Sequence, residues 1–571
     1  MPLPVQKIQP GVLTKEWKHQ LDRLEKSHAL SRLWQRDLSL WPSHELRKDG
    51  GKGLLNWLDL PDHLQADSAH VSQLAHAVIA AGFKEAVFLA ISSSSLAAEL
   101  VVSLALPTRG LKFHVLSRIE PSGLRALENK LEFKRTLFLI ASKSGKNLEM
   151  HALLLYLLAK VKSAGLSSPG ENFIAITEEG SYLSSLAREH RFRDVLAEPR
   201  GFRGRFSGVI HFGHLFVGLS EFDPAKIMTI VQEMRDRCSP LTPIEQNPAA
   251  LLAAFLAAIA QTGFHRLIFR SSHGLSVFAR RLVHLVGSSS CKEGKGIIPM
   301  RGIWIADPAI LEKHCSECVV RFAGEAETSA ANLQIPSVTV EMEGVEHIAA
   351  EVFKWEIATS LACSLIGVNP FGDPDFGDGR ESAVEYIEQI TVHKKLDTPR
   401  PRLVEGNLSL FVEGELRHEI SSLSFERALS SFFALRGEDG YLAIQNYAWN
   451  LPEVRTRMTS LTERLGLQLG VPAQLVDGPW YLHLIGQCYK GGPRGGLSLM
   501  ITCDPVERIE VPGAGYSFGD LVLALALGDF DAMVSRKRPV VRIHMTGPPA
   551  QALTELESIV EKALKAGRRK T

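Results

Sequence analysis

Residues 85–95 read EAVFLAISSSS and residues 135–147 read RTLFLIASKSGKN. In both, a short apolar run stops abruptly in a loop of small hydroxyl residues, joined in the second by glycine and lysine. Runs of this length, apolar on both faces, are strands of a parallel sheet covered on both sides. KFHVLS (112–117) and NFIAIT (172–177) repeat the pattern. The helix-like segments SLAAELVVSLAL, PSGLRALENKL and NLEMHALLLYLLAKVKSA stand between them. Strand and helix in alternation predict a doubly wound α/β sheet.

A second series of the same kind begins near residue 245. It contains RLIFRSS, the helix-like LSVFARRLVHLV, CVVRFAG, SVTVEME and HIAAEVFKWEIATSLACSLIG. Before the first series, KEWKHQLDRLEKSHALSRLW (15–34) carries Leu and Trp at helical spacing among charges. HKKLDTPRPR (393–402) is polar, contains proline and reads as a linker. After it, LSLMITCD and PVVRIHM are strand-like, and the chain closes on the charged helix TELESIVEKALKAGRRK. The expected organisation is a helical arm (1–48), a first α/β subdomain (49–240), a second (241–400) and a mixed α/β segment (401–571) that contributes to the site. No short repeat is visible, only two similar halves.

Composition narrows the function classes. The net charge is +1 and charged residues make up 22% of the 571, so no nucleic-acid partner is expected. Seven cysteines without a regular framework fit a reducing, cytoplasmic setting. MPLPVQKIQPG lacks the charged start and apolar run of a signal peptide. The longest apolar run, AALLAAFLAAIA (249–260), is well short of the ~20 residues of a membrane span and reads as a buried helix.

Ligands of doubly wound sheets sit at the carboxyl ends of strands, where loops meet helix N-termini. Three loops qualify: 90–95 (AISSSS), 142–147 (SKSGKN) and 198–207 (EPRGFRGRFS). Serines before helices also serve as N-caps, so each serine loop taken alone has two readings. His314-Cys315-Ser316-Glu317-Cys318 invites a zinc reading, but no second Cys/His pair lies at usable spacing. No metal and no redox cofactor are expected.

The order of these loops resembles the phosphoglucose isomerases of the sugar isomerase (SIS) family, above all the isomerase portion of bacterial transaldolase/glucose-6-phosphate isomerase fusions. HLIGQCYKGGPRGGLSLMITCD (483–504), PGAGYSFGDLVLALALGDFDAM (512–533) and RPVVRIHM (538–545) carry the resemblance most specifically. GVNPFGDPD, KWEIATSLA and KEGKGIIPM extend it backward. The resemblance implies two SIS subdomains, a sugar-phosphate ligand, a homodimer, and aldose–ketose isomerisation through an enediol. That chemistry needs a carboxylate base, a cation for the enediolate and a phosphate cradle.

Position by position, part of that set is kept. Arg205 falls on the family's enediolate arginine, and Lys490, with Gln487 and Tyr489 in register, falls on its C-terminal site lysine. Ser142, Lys143 and Ser144 match the start of the phosphate loop SKSGTT, whose threonines are here Lys146 and Asn147. The family loop GMGGSS is replaced by AISSSS, with Ser92 and Ser93 the sugar-binding candidates. The segment DSTDP appears as Ser117-Arg118-Ile119-Glu120-Pro121, and a Ser-Thr pair before Gly-Gln as Leu484-Ile485. The heaviest change is in GSSSCKEGKG (287–296). Register on Lys292, Gly294, Lys295 and Gly296 puts Ser288 where the family pattern ESTGK has its base glutamate. No histidine is read nearby to activate that serine, and Glu293 stands at a position the pattern leaves free. Two functions remain open: a degenerate isomerase that binds a sugar phosphate or a metabolic partner, and a divergent but active glucose-6-phosphate isomerase.

Overall fold

The VQKIQ segment at the amino end, whose apolar residues Val5 and Ile8 stand three apart rather than alternating, nevertheless forms a strand. β1 (Val5–Gln9) turns Gln6 and Ile8 inward, leaves Val5, Lys7 and Gln9 exposed, and pairs antiparallel with a later strand. The expected arm is therefore not wholly helical. Its helices, Thr14–Lys26 and Ala29–Trp34, follow the strand. The computed structural model describes residues 2–42, 53–91, 93–103, 110–198, 204–206, 219, 224–301, 312, 315–323, 335–375, 377–394, 396, 399–437 and 439–568.

The chain divides into two compact units. One comprises Met1–Ser117, Lys130–Pro299 and Cys315–Gly372, and the other Arg118–Asn129, Met300–His314 and Asp373–Thr571. In the first unit, EAVFLA is one strand of a five-stranded parallel sheet. Its strands are β2 (Glu85–Ala90), β3 (Lys112–Leu116), β4 (Thr136–Ala141), β5 (Phe173–Glu178) and β6 (Asp194–Glu198), in the order β3-β2-β4-β5-β6. β2 and β4 are buried along almost their whole length, as strands covered on both faces must be.

A second sheet follows, with β7 (Arg266–Ser271), β8 (Ile298–Met300), β9 (Cys315–Phe322) and β10 (Ser337–Met342) in the order β8-β7-β9-β10-β1. β7, β9 and β10 run parallel, and only β1 at the edge is antiparallel. The apolar run near residue 250 is the buried helix Pro248–Gln261. Asn247 caps it by accepting from the N–H groups of Ala249 and Ala250. Among the described residues no helix is long and apolar enough to cross a membrane.

The second unit adds a third sheet to the two expected. β11 (Leu403–Glu405) and β12 (Leu408–Phe411) form an antiparallel edge hairpin. β13 (Tyr441–Asn446), β14 (Ala473–Asp477), β15 (Gly496–Cys503) and β16 (Val540–Met545) run parallel, and the order is β11-β12-β16-β15-β13-β14. With the antiparallel edge strands β1, β11 and β12 left out and the others numbered in chain order within each sheet, the first four stand in the order 2-1-3-4 in all three. This order puts a topological switch point between the first and third strands of each sheet.

Residues 118–129, which lie between β3 and β4 in the sequence, belong to this second unit. Arg118 pairs with Asp477 at 3.1 Å and lies over the Trp480 ring. Glu120 caps the helix Pro121–Glu128 by accepting from the Gly123 N–H, and Arg125 reaches Glu507. In the departed segment SRIEP, the charged residues are thus committed to contacts within the second unit.

Candidate functional site

Arg205 sits in a single helical turn, Gly204–Phe206, and is buried. Phe206 anchors that turn, with ring centroids 5.4 Å from Trp57 and 5.0 Å from Phe371. The guanidinium donates from Nη1 to the Ser288 carbonyl at 3.2 Å and from Nη2 to the Gly372 carbonyl at 3.4 Å. Ser288 lies in the last turn of the helix Ser276–Ser290, whose final carbonyls have no partner within the helix. Lys292 Nζ donates to the next one, Ser289 O, at 2.9 Å, and also to Asn369 O. Two cations therefore cap a helix C-terminus, where the macrodipole favours positive charge. Arg205 and Ser288 are brought together, but through the serine's backbone.

Arg281, on the same helix, donates to the Arg205 carbonyl at 2.6 Å and pairs with Glu356 at 2.9 Å. Both side chains are fully buried, and burial pushes the Arg281 pKa down against the pull of Glu356. Glu356 lies within KWEIATSLA, and its place beneath Arg205 was not legible from the motif.

The Ser288 side chain faces a group that sequence reading missed. His284 precedes it by one helical turn, and its Nδ1 stands 3.5 Å from Ser288 Oγ. The expectation of no nearby histidine is thus corrected: an i, i+4 pair on a helix shares a face. At 3.5 Å the contact is at the limit of a hydrogen bond. Ser288 is 4% exposed, and Glu293 sits in the exposed tight turn Lys292–Lys295 at φ 55°, away from the buried helix end.

The loop 142–147 follows β4 and leads into the helix Leu148–Ser163. Ser142 Oγ accepts from the Gly145 N–H at 3.1 Å, Ser144 Oγ from the Lys146 N–H at 3.2 Å, and Asn147 Oδ1 caps the helix at the Met150 N–H. Gly145 has φ 72°, and a Cβ there would come within 2.6 Å of the Leu183 backbone N, so only glycine fits the turn. Lys143 is 3.7 Å from Glu178, while Ser144 and Lys146 are exposed. The N-cap reading holds for Asn147, and two loop N–H groups are held by the loop's own serines. In the loop 90–95, Ile91 and Ser95 are buried. Ser92 and the side chain of Ser93 lie outside the described residues.

In the second unit, Lys490 and Gln487 share the short helix Gly486–Gly491. Lys490 is 3% exposed and its Nζ lies 2.9 Å from Oδ1 of Asp529, itself 1% exposed. The Tyr481 hydroxyl donates to the other oxygen of Asp529. Burial beside that carboxylate holds the Tyr481 pKa well above its ordinary value. Gln487 accepts from the Asp375 N–H at 3.2 Å and donates to its carboxylate, which also receives Arg536. A Cβ on Gly491 would fall 2.1 Å from that carboxylate, so the KGG glycine makes room for Asp375. Leu484 and Ile485 are buried, and His483 is half-buried at the end of the turn Trp480–His483. Asp529 and Tyr481 were missed, although GDFD lies inside a quoted motif.

No group of three or more His, Cys, Asp and Glu side chains among the described residues could hold a metal. Burial pushes the thiols of the C-x-x-C pair up, Cys315 to about 11 and Cys318 well above its usual value, so neither is a ready thiolate ligand.

Parallel sheets in the order 2-1-3-4 make this a doubly wound α/β protein. Solved structures share this fold. A hypothetical protein of Thermus thermophilus superposes with TM-score 0.54 at 18% identity, covering 67% of this chain and 99% of its own. A glucose-6-phosphate isomerase of Chlamydia trachomatis gives 0.50 at 16%, covering 66% and 85%. The sequence relatives carry the more particular name. The chain is 26% identical over 274 residues to a glucose-6-phosphate isomerase of Acaryochloris marina, covering 47% of this chain and 50% of the relative. It is 23% identical over 415 residues to one of Prochlorococcus marinus, covering 64% and 73%. The first match spans only half the relative's length. No protein-family profile matches. By sequence and fold the chain is similar to the glucose-6-phosphate isomerases, as its motifs imply.

Proposed function

We propose that this protein binds a sugar phosphate on an isomerase scaffold and turns it over weakly or not at all. The observation that carries the proposal is the base position. Ser288 replaces the family carboxylate, it is buried, and Arg205 is spent on its backbone carbonyl and that of Gly372. A positioned general base is worth about 10²–10⁴ in rate, and a serine hydroxyl does not supply it near neutral pH. The turn and cap bonds within 142–147 and the apolar Leu484-Ile485 pair support the same reading. Ser144 and Lys146, exposed on their loop, are the candidates to meet the phosphate. The resemblance supports a homodimer in the cytoplasm, which sedimentation and fractionation test.

One contact favours a second reading, an active divergent isomerase. His284 lies 3.5 Å from Ser288 Oγ, one helical turn before it in the sequence. A coupled assay of fructose 6-phosphate conversion at micromolar protein, with calorimetric binding alongside, separates the two. Binding without turnover supports the proposal, and turnover lost in both Arg205→Ala and His284→Gln supports the second reading. Absence of binding refutes both.

A further inference from the structure

The three sheets share a strand order, so their switch-point crevices can be compared directly. In the third sheet the crevice between β13 and β15 is filled: the Tyr447 N–H bonds Ile501 O at 2.8 Å, and Tyr447 and Trp449 are buried there. The second sheet has the same bond in the same place, from the Ser272 N–H to Val320 O of β9 at 3.2 Å. Its loop, SSHGL (271–275), resembles in composition the serine loop after β2, not the aromatic loop after β13.

We infer that the loop 271–275 and the amino end of the helix Ser276–Ser290 form a second phosphate-binding site, at the carboxyl end of β7. Two independent observations carry it. The fifteen-residue helix continues from the single tight turn His273–Leu275, which starts at Ser272, and the helix has no side-chain cap at its amino end, where N–H groups can meet an anion. The Ser272 hydroxyl, on a residue 8% exposed, stands at that end and makes no hydrogen bond. Ser272 O already receives the Leu275 N–H at 3.1 Å, so the residue takes the position of a cap while its hydroxyl stays unused. Buried hydroxyls without a partner are costly, and an anion accepting from Ser272 Oγ and the helix N–H groups satisfies all of them at once. The ligand class is a phosphate dianion, free or on a sugar. The site uses neither the residues of the loop 142–147 nor Arg205.

The test is calorimetric titration of the full chain with fructose 6-phosphate, inorganic phosphate and fructose. Ser272→Ala removes the donor. Ser272→Asp puts a carboxylate at the cap, which repels an incoming dianion but strengthens an uncapped helix. Ser272→Ala weakens phosphate binding at least tenfold, about the loss expected of a hydrogen bond to a charged group. Ser272→Asp abolishes binding at this site, leaving any at the loop 142–147, with the unliganded melting temperature unchanged or raised, which a purely structural serine would not produce. Fructose does not bind here. Equal affinity for phosphate and fructose 6-phosphate identifies the free anion as sufficient, and a preference for the ester identifies a sugar phosphate. Phosphate binding untouched by Ser272→Asp, or none in the wild type, overturns the inference. Binding lost in Ser272→Asp but unchanged in Arg205→Ala upholds it even if the proposed function fails.

Discussion

Asp529→Asn is the substitution with the most to say about the second unit. Lys490 and Asp529 are both almost wholly buried and 2.9 Å apart, and Tyr481 holds the second carboxylate oxygen. Asparagine keeps the volume but only one of the two acceptor oxygens, and it leaves the ammonium without its counter-charge. Breaking a buried pair from one side costs about 3–5 kcal/mol, which in a unit of this size lowers the melting temperature by about 6–20 °C. Lys490→Met added to Asp529→Asn removes the stranded charge and recovers most of the loss, since a buried pair is often no better than an apolar pair of equal volume. Scanning calorimetry of the two variants and the wild type measures both effects. If Asp529→Asn melts within about 1 kcal/mol of wild type, the pair is hydrated rather than dry, and Lys490 is freer to meet a ligand than this account allows.

Ser288→Glu alone gives no measurable isomerisation in a coupled assay, because Arg205 remains bound to main-chain carbonyls and the other loops remain altered. Glu356→Gln strands Arg281 beneath Arg205 and destabilises the first unit by about 3–5 kcal/mol, read by urea unfolding. Acid titration tests Asp477. Burial by itself would raise its pKa, but Arg118 and Arg455 more than offset that and hold it below the usual carboxylate range. A depressed folded-state pKa contributes stability that is fully present above about pH 3.9 and is lost as pH falls through the folded value. Asp477→Asn therefore flattens the fall in stability below about pH 4, and parallel wild-type and variant curves would contradict the assignment.

Most strands of the first two sheets were legible, β2 and β4 because EAVFLA and RTLFLIA are apolar on both faces, whereas β6 (DVLAE) and β8 (IPM) were not. β13 and β14 were not, because YLAIQN and AQLVD mix in amides and an acid that only tertiary contacts bury. β1 was hidden because VQKIQ does not alternate polar and apolar residues; only its burial does, once it is paired. At the candidate site, the register of KEGKG placed Ser288 at the end of a buried helix, where the structure also has it. His284 could have been found from helical spacing. Glu356 beneath Arg281 and Asp529 beside Lys490 could not, since each partner lies many residues away and the pairing exists only in the fold.

Isomerisation through an enediol exchanges the proton at C2 of glucose 6-phosphate with solvent, so deuterium uptake reports proton abstraction even when net conversion is slow. Proton NMR of glucose 6-phosphate in D2O, with the chain at a concentration where calorimetry shows it bound, is the most direct test. The account predicts no uptake above the protein-free rate. Uptake at C2 that disappears in Arg205→Ala would show a working base and contradict it.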